Sequence, residues 1–482
     1  MTLLVFYVLA MRAPRRVALV WLIGASILFY GWFRPENLLL LGVLLVLNYG
    51  AGVYLGRHTG ARRAKAVLAL GIAMNLGTLG YFKCANFFVE VVKSVFPTGW
   101  PAASVVLPLG ISFFIFQKIA YLVDACRGRA RGYSFIDYCL FVTFFPQLMA
   151  GPIVHHAEVV PQFTRRGSYR PNGEDFSVGL TQFCCGLFKK AVIADRMALY
   201  ATPIFDVAAG GGALGFFDAW IAVLAYTFQL YFDFSGYSDM ALGLGRLFGI
   251  KLPVNFDSPY KAANITELWR CWHMTLSRFL RDYLYIPLGG NRHGPARRCV
   301  NLMITMLLGG LWPGAGWTFV IWGGRHGIYL VIHHGWRALR ARSESPANTD
   351  GRFGARALTF FVVMLAWIFF RASNVGTAGR MFAALFGVNG IEWRCSFHIV
   401  AAVIAFCLVW IVVWFLPNTQ EWLAKFSPAL GCDATIFLRK FPALLSRLAW
   451  QPGVVWALAL AALAVFSLSQ MSHVSEFIYW QF

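Results

Sequence analysis

The sequence predicts an all-α polytopic membrane protein, on three observations. Of its 482 residues, 59% are hydrophobic and only 13% are charged, where a soluble domain carries roughly 25% charged residues. The apolar residues come in long runs, and a helix that crosses a bilayer needs about 20 of them. The basic residues, which set a formal net charge of +21, collect in short clusters between those runs, the pattern that orients a chain in a membrane. That placement assigns the charge to topology and to anionic headgroups of the surrounding lipid, with no nucleic acid as partner. At this length the chain has room for roughly ten or eleven spans in a single transmembrane domain over 1–482.

In chain order, residues 1–10 are apolar but too short to cross alone, and no small-residue cleavage site follows them. They read as a truncated first span or an interfacial piece. Runs 17–33 and 38–55 form a hairpin flanked by two basic clusters, Arg12, Arg15 and Arg16 before it and Arg57, Arg62, Arg63 and Lys65 after it. Both clusters are placed in the cytoplasm. Run 66–95 then leads to the uncharged turn PTGWPAAS on the outer side, run 105–123 returns, and Arg127, Arg129 and Arg131 mark the cytoplasm again. Residues 138–153 are apolar but broken by Pro146, Gly151 and Pro152, and read as a re-entrant or broken helix, tolerated only where protein or a cavity surrounds it. His155 and His156 follow, read as solvated loop histidines.

Residues 176–200 carry Lys189, Lys190, Asp195 and Arg196 inside an apolar helix, which calls for internal ion pairs. In 216–250, Asp233 and Asp239 fall at membrane depth around Gly236. They must be paired or protonated, either to fix a broken helix or to line a substrate path. Run 265–285 places Arg270, His273, Ser277 and Arg281 three, four and four residues apart, which is one helical face, and is expected to form an amphipathic interfacial helix. Runs 301–312 and 317–332 flank the hinge PGAG. A polar, basic stretch at 336–356 reads as a cytoplasmic loop, 371–397 and 417–451 as connectors, and 357–370, 398–416 and 454–468 as the last spans.

Ten cysteines are scattered without a CxxC pair or a regular framework, so they read as small core hydrophobes, with neither disulfides nor a metal-ligand set expected. Zinc-hydrolase, P-loop and nucleophile-elbow motifs are absent. The chemistry left to the chain rests on its buried histidine and arginines. A histidine titrates near neutrality and can take a proton from a hydroxyl, while Arg270, Arg278 and Arg281 can hold an anionic donor. An acyltransferase, a lipid-phosphate enzyme and a proton-coupled transporter all fit those residue types. No repeated halves are visible, which disfavours the transporter.

Five motifs narrow the choice. PLGISFFIFQKIAYLVD (108–124), FFPQLMAGPI (144–153), QLYFDFSGYSDMALG (229–243), NFDSPYKAANITELWRCWHMTLSRFLRDYLYIPLGGNR (255–292) and GGLWPGAGWTFVIWGGRHG (309–327) resemble, in order and spacing, the membrane-bound O-acyltransferase family and its polysaccharide-acetylating bacterial branch. The resemblance centres on 105–335, and the helices of 357–482 match loosely. It implies a ring of tilted, re-entrant and interfacial helices around a central funnel, in the bacterial inner membrane. It implies acetyl transfer from a cytoplasmic donor, acetyl-CoA, with no permanently bound cofactor. The acceptor would be an exported polysaccharide such as alginate, reached directly or through periplasmic acetyltransferase partners.

The family's characteristic polar position in W-x-x-W-[HN] falls on His273. The histidine expected in G-L-W-H-G is Pro313 here, and a proline ring can neither take nor give a proton. Three readings follow: His273 serves as base alone, His326 thirteen residues further on substitutes, or the chain is a catalytically silent scaffold. For His326 the structural alternative is a helix-packing histidine bonded to a backbone carbonyl.

Overall fold

A computed structural model describes residues 1–32, 34–96, 106–148, 151–164, 169–340, 352–393, 399–432, 449–471 and 478. The expected outer turn at 97–104 and residues 341–351 of the expected loop at 336–356 therefore lie outside the described residues. Among those described the fold is helical, with one isolated bridge, Pro253 to Leu430. Helices α1 (Thr2–Arg12), α2 (Arg15–Gly31), α3 (Glu36–Arg57) and α4 (Arg62–Val95) open the chain, followed by α5 (Ile111–Cys126). Among the described residues four segments are long and apolar enough to cross a membrane: Glu36–Arg57, Arg62–Val95, Gly173–Ala209 and Arg352–Arg371. Leu39, Val43, Val46 and Leu47 on α3 are exposed, an apolar surface that only lipid can cover. The protein is a multi-pass membrane protein.

The broken segment appears as α6 (Phe135–Thr143) and the single turn α7 (Phe145–Leu148). His155 and His156 are not solvated loop residues. His156 opens α8 (His156–Thr164) fully buried, and His155 keeps a side-chain exposure of 28%. Next come α9 (Gly173–Phe188), a wide turn over Lys189–Ala194, and α10 (Asp195–Ala209). Helix α11 (Phe216–Leu247) runs unbroken through the polar patch and is buried along most of its length. At 1.5 Å per residue it reaches about 48 Å, more than a hydrocarbon core.

The glycines of α11 explain why it does not break. They permit close packing, not a bend. A Cβ on Gly236 would stand 2.8 Å from the Gly186 carbonyl oxygen, and one on Gly243 would stand 2.5 Å from that of Gly179. Two small-residue pairs, each seven residues apart on its helix, thus bring the α9 and α11 backbones together. Gly186→Ala is expected to push them apart and cost about 1–3 kcal/mol by overpacking. A lower thermal midpoint of the detergent-solubilised protein would check it.

The contact seats the buried charges. Lys190 pairs with Asp195 at 2.8 Å and Asp233 at 2.7 Å, and Lys189 with Asp239 at 2.6 Å. Asp239 also accepts hydrogen bonds from Thr419 Oγ1 and Gln420 Nε2, both at 2.7 Å. The two carboxylates are paired, as membrane depth requires, and they clamp α9 to α11 and to the segment near residue 420.

The expected amphipathic helix over 265–285 is instead three pieces: α12 (Ile265–Cys271), α13 (Met274–Leu280) and a wide turn at Arg281–Tyr285. The incoming strand of chain at 255–257 causes the break. Met274 N–H donates to the Asn255 carbonyl and Asp257 N–H to that of Cys271, each at 2.9 Å. These bonds hold His273 in the left-handed region, φ 41°, which a non-glycine residue occupies only at a cost. Helices α14 (Gly294–Gly310) and α15 (Trp317–Arg340) form the next hairpin, crossing tightly at Gly310 and Gly323. Helix α15 runs further than the apolar run indicated. Helix α16 (Arg352–Arg371) follows, then α17 (Val375–Leu385) inside the expected connector, α18 (Ile399–Phe415), the turn α19 (Thr419–Trp422) and α20 (Val454–Ser469).

Candidate active site

The break after Trp272 turns His273 inward, away from the arginines with which the sequence spacing grouped it. Its side chain is buried among Phe234, Phe256 and Trp312, with ring centroids 4.7, 6.3 and 5.1 Å away. A chain of hydrogen bonds fixes its tautomer. Ile153 N–H donates to Thr275 Oγ1 at 3.0 Å, so the Thr275 hydroxyl donates onward to Asn255 Oδ1 at 2.8 Å. The Asn255 amide nitrogen meanwhile donates to Ser238 Oγ at 3.0 Å. Asn255 therefore presents its oxygen to His273 Nδ1, 3.0 Å away, and that nitrogen must carry the hydrogen. His273 Nε2 keeps its lone pair and has no hydrogen-bond partner among the described residues.

A small cavity of about 10 Å³ touches His273, Pro313, Trp272, Trp312, Leu276 and Trp269, among others. It holds roughly one water-sized group. His273 is the one titratable side chain among its described lining residues. Pro313 is buried at the same cavity, so the position where the family motif expects histidine is present in space but carries no proton acceptor. Lys83 of α4 donates to the Trp312 carbonyl, pinning the turn beside it.

His326 on α15 is also fully buried, behind Trp269 and Trp322 with centroids 5.2 and 5.0 Å away. Neither ring nitrogen finds a partner among the described residues, and none of their backbone carbonyls makes the bond of the packing alternative. His326 does not line the cavity that His273 and Pro313 share.

On the other side of Trp269 opens a cleft of about 510 Å³. Arg270, Arg278 and Arg281 all line it, with Glu158, Ser277, Tyr285 and His334. Arg270 is exposed there. Arg278 makes a fork to Glu158 at 2.5 and 2.8 Å, and Arg281 turns to Asp282 at 2.7 Å. Basic residues at the start of α14 (Arg297, Arg298) and the end of α15 (Arg337, Arg340) belong to one end of that helical hairpin. Trp269 is the shared wall between cleft and small cavity.

The sequence reading did not find the Asn255–Thr275–Ile153 anchor, because the pieces come from three separate segments. It also did not find that His155 and His156 converge on Asp124, with Nε2 atoms 2.7 and 3.1 Å from one carboxylate oxygen. Burial lowers the His156 pKa, opposed by its bond to Asp124. The doublet in GPIVHH beside the aspartate of AYLVD was the available signal.

The profile of the membrane-bound O-acyltransferase family matches residues 79–375. A peptidoglycan O-acetyltransferase of Helicobacter pylori is 43% identical over 398 residues, covering 77% of this chain and 74% of its own. A probable alginate O-acetylase of Azotobacter vinelandii is 42% identical, covering 80% and 75%. One of Pseudomonas aeruginosa is also 42% identical, covering 78% and 70%. With well over half the chain inside the family profile and more than 40% identity to acetyltransferases over most of its length, the protein belongs to the membrane-bound O-acyltransferase family and is an O-acyltransferase.

Proposed function

We propose that the chain transfers an acetyl group from acetyl-CoA, bound from the cytoplasm, to a hydroxyl on the pathway to an exported polysaccharide such as alginate. The site is the bacterial inner membrane, and periplasmic acetyltransferase partners finish the transfer. The observation that carries this reading is the unpartnered Nε2 of His273, held in its proton-accepting tautomer on a cavity one tryptophan away from the arginine cleft. Phosphates of the donor suit Arg270, which has no acidic partner among the described residues, and the forked Arg278. The narrow cavity favours the shortest acyl groups. Relatives of similar identity carry the names of two different polymers, peptidoglycan and alginate, and what those names share is acetylation of a glycan hydroxyl.

In the step, His273 Nε2 takes the proton of the acceptor hydroxyl as its oxygen attacks the thioester carbonyl. The carbon–sulfur bond breaks, and the leaving thiolate takes the proton back from the imidazolium. The second reading, a silent scaffold, is favoured by Pro313 alone.

The test compares labelled acetyl transfer by membranes holding this chain with that by membranes holding Pro313→His, both with acetyltransferase partners. Transfer by the unmodified chain is the expected result, while transfer by Pro313→His alone would establish the scaffold. Arg270→Ala is expected to raise KM for acetyl-CoA about tenfold, the loss of one charge-assisted contact, with kcat little changed in a donor titration.

A further inference from the structure

Asp124, His155, His156 and Tyr283 meet where the end of α5, the start of α8 and the wide turn after α13 come together, and none of the four lines the arginine cleft or the His273 cavity. Three of their atoms form a closed triangle. Asp124 Oδ2 lies 2.6 Å from Tyr283 Oη and 2.7 Å from His155 Nε2, and those two lie 2.7 Å from each other. Each side is hydrogen-bond length, yet the carboxylate brings no hydrogen and the other two atoms bring one each. Two hydrogens cannot give three good bonds. His156 Nε2 approaches the same oxygen at 3.1 Å, making four polar atoms around one point. A cation there would satisfy all of them at once.

We propose that Asp124, His155 and His156 bind a zinc ion, with the Tyr283 hydroxyl supporting the remaining position. Two imidazoles and a carboxylate are a zinc donor set. The ligand atoms lie within 4.8 Å of one another, and bonds of about 2.0–2.1 Å at tetrahedral angles put ligands about 3.3 Å apart. The observed 2.7 and 3.1 Å separations need to open by about 0.6 and about 0.2 Å. The outer contacts fit as well. Tyr133 Oη lies 3.0 Å from His156 Nδ1 and orients that ring, the usual support for a ligating histidine. Asp124 and His156 are buried, while the partly exposed His155 edge gives a way in.

In the metal-free arrangement His155 Nε2–H points at Asp124, and Nδ1 accepts a long 3.3 Å bond from Ala157 N–H. Zinc displaces that Nε2 proton. The ion would tie three segments together, and it would bear on the cleft. Glu158, three residues after His155, accepts the His155 N–H at 3.3 Å and holds Arg278. The site is thus a structural clamp that sets the cleft rim, and it stands whether or not the acetyl-transfer reading does.

The test uses the full chain in detergent, purified through a tag that binds no metal, stripped with chelator and dialysed against buffered zinc. Elemental analysis is expected to find about one zinc per chain retained, together with a higher thermal midpoint than the stripped protein. His155→Ala, at the partly exposed ligand, and Asp124→Asn, which keeps a hydrogen-bond acceptor, are expected to elute as the wild type does on gel filtration. Both should lose the zinc and the midpoint shift. Equal zinc in wild type and His155→Ala, no zinc above the protein-free buffer, or a midpoint that ignores zinc would each overturn the site.

Discussion

Replacing His273 with alanine is expected to lower kcat for acetyl transfer by about 10²–10⁴, the usual contribution of a positioned general base. His273→Gln is expected to behave the same way, because an amide fills much of the imidazole volume but accepts no proton at neutral pH. KM for acetyl-CoA should hardly move, since the arginine cleft lies beyond Trp269 and does not touch His273. Asn255→Ala removes the acceptor that keeps the hydrogen on Nδ1. It should lower kcat by about tenfold and shift the pH profile, a readout that simple loosening of the fold would not produce. His326→Ala should leave kcat within a few-fold, because His326 sits behind Trp269 and Trp322 and off the shared cavity. Labelled-acetyl transfer at saturating donor checks the series. Loss of activity in His326→Ala with retention in His273→Ala would move the base to α15.

Lys190→Met is expected to destabilise the protein by about 3–5 kcal/mol, the cost of stranding a buried charge. Lys190 stands between Asp195 and Asp233, and Asp233 is 1% exposed on its side chain. With the lysine gone, Asp233 keeps, among the described residues, the Ile478 N–H at 3.3 Å. The double substitution Lys190→Met with Asp233→Leu should recover most of the loss, because a buried pair is often replaceable by apolar side chains of similar size. Thermal midpoints by size-exclusion of the solubilised protein separate these outcomes. A double variant as unstable as the single one would mean that the ion pair contributes more than charge neutrality.

The glycine contacts and this ion-pair network act on the same joint. Gly179 and Gly186 let α9 approach α11 closely enough for Lys189 and Lys190 to reach Asp239 and Asp233. Asp239 then gathers Thr419 and Gln420 from the last third of the chain. Polar residues in the middle of α11 therefore take part in assembly, one of the two roles the sequence left open for them.

How far the sequence carries the argument varies with the range of the interaction. Hydropathy and charge clustering, both local, determined that the chain is helical and polytopic, and motif spacing determined its family and singled out His273, His326 and Pro313. The need for Lys–Asp pairing was also legible, since an unpaired charge at membrane depth is costly. Helical periodicity misled at 265–285, where it put His273 on a face with Arg270 and Arg281. Local spacing cannot register a segment such as 255–257, whose backbone bonds break the helix and turn the histidine inward. The same limit applied to His155 and His156, which are loop-like in sequence and converge, His156 fully buried, only where α5 brings Asp124 to them. The sequence by itself determined the fold class, the family and the residue types available for chemistry. Only the tertiary structure decided which of them share a cavity and which atom of His273 is left to act, because contacts between residues far apart in the chain set both burial and tautomer.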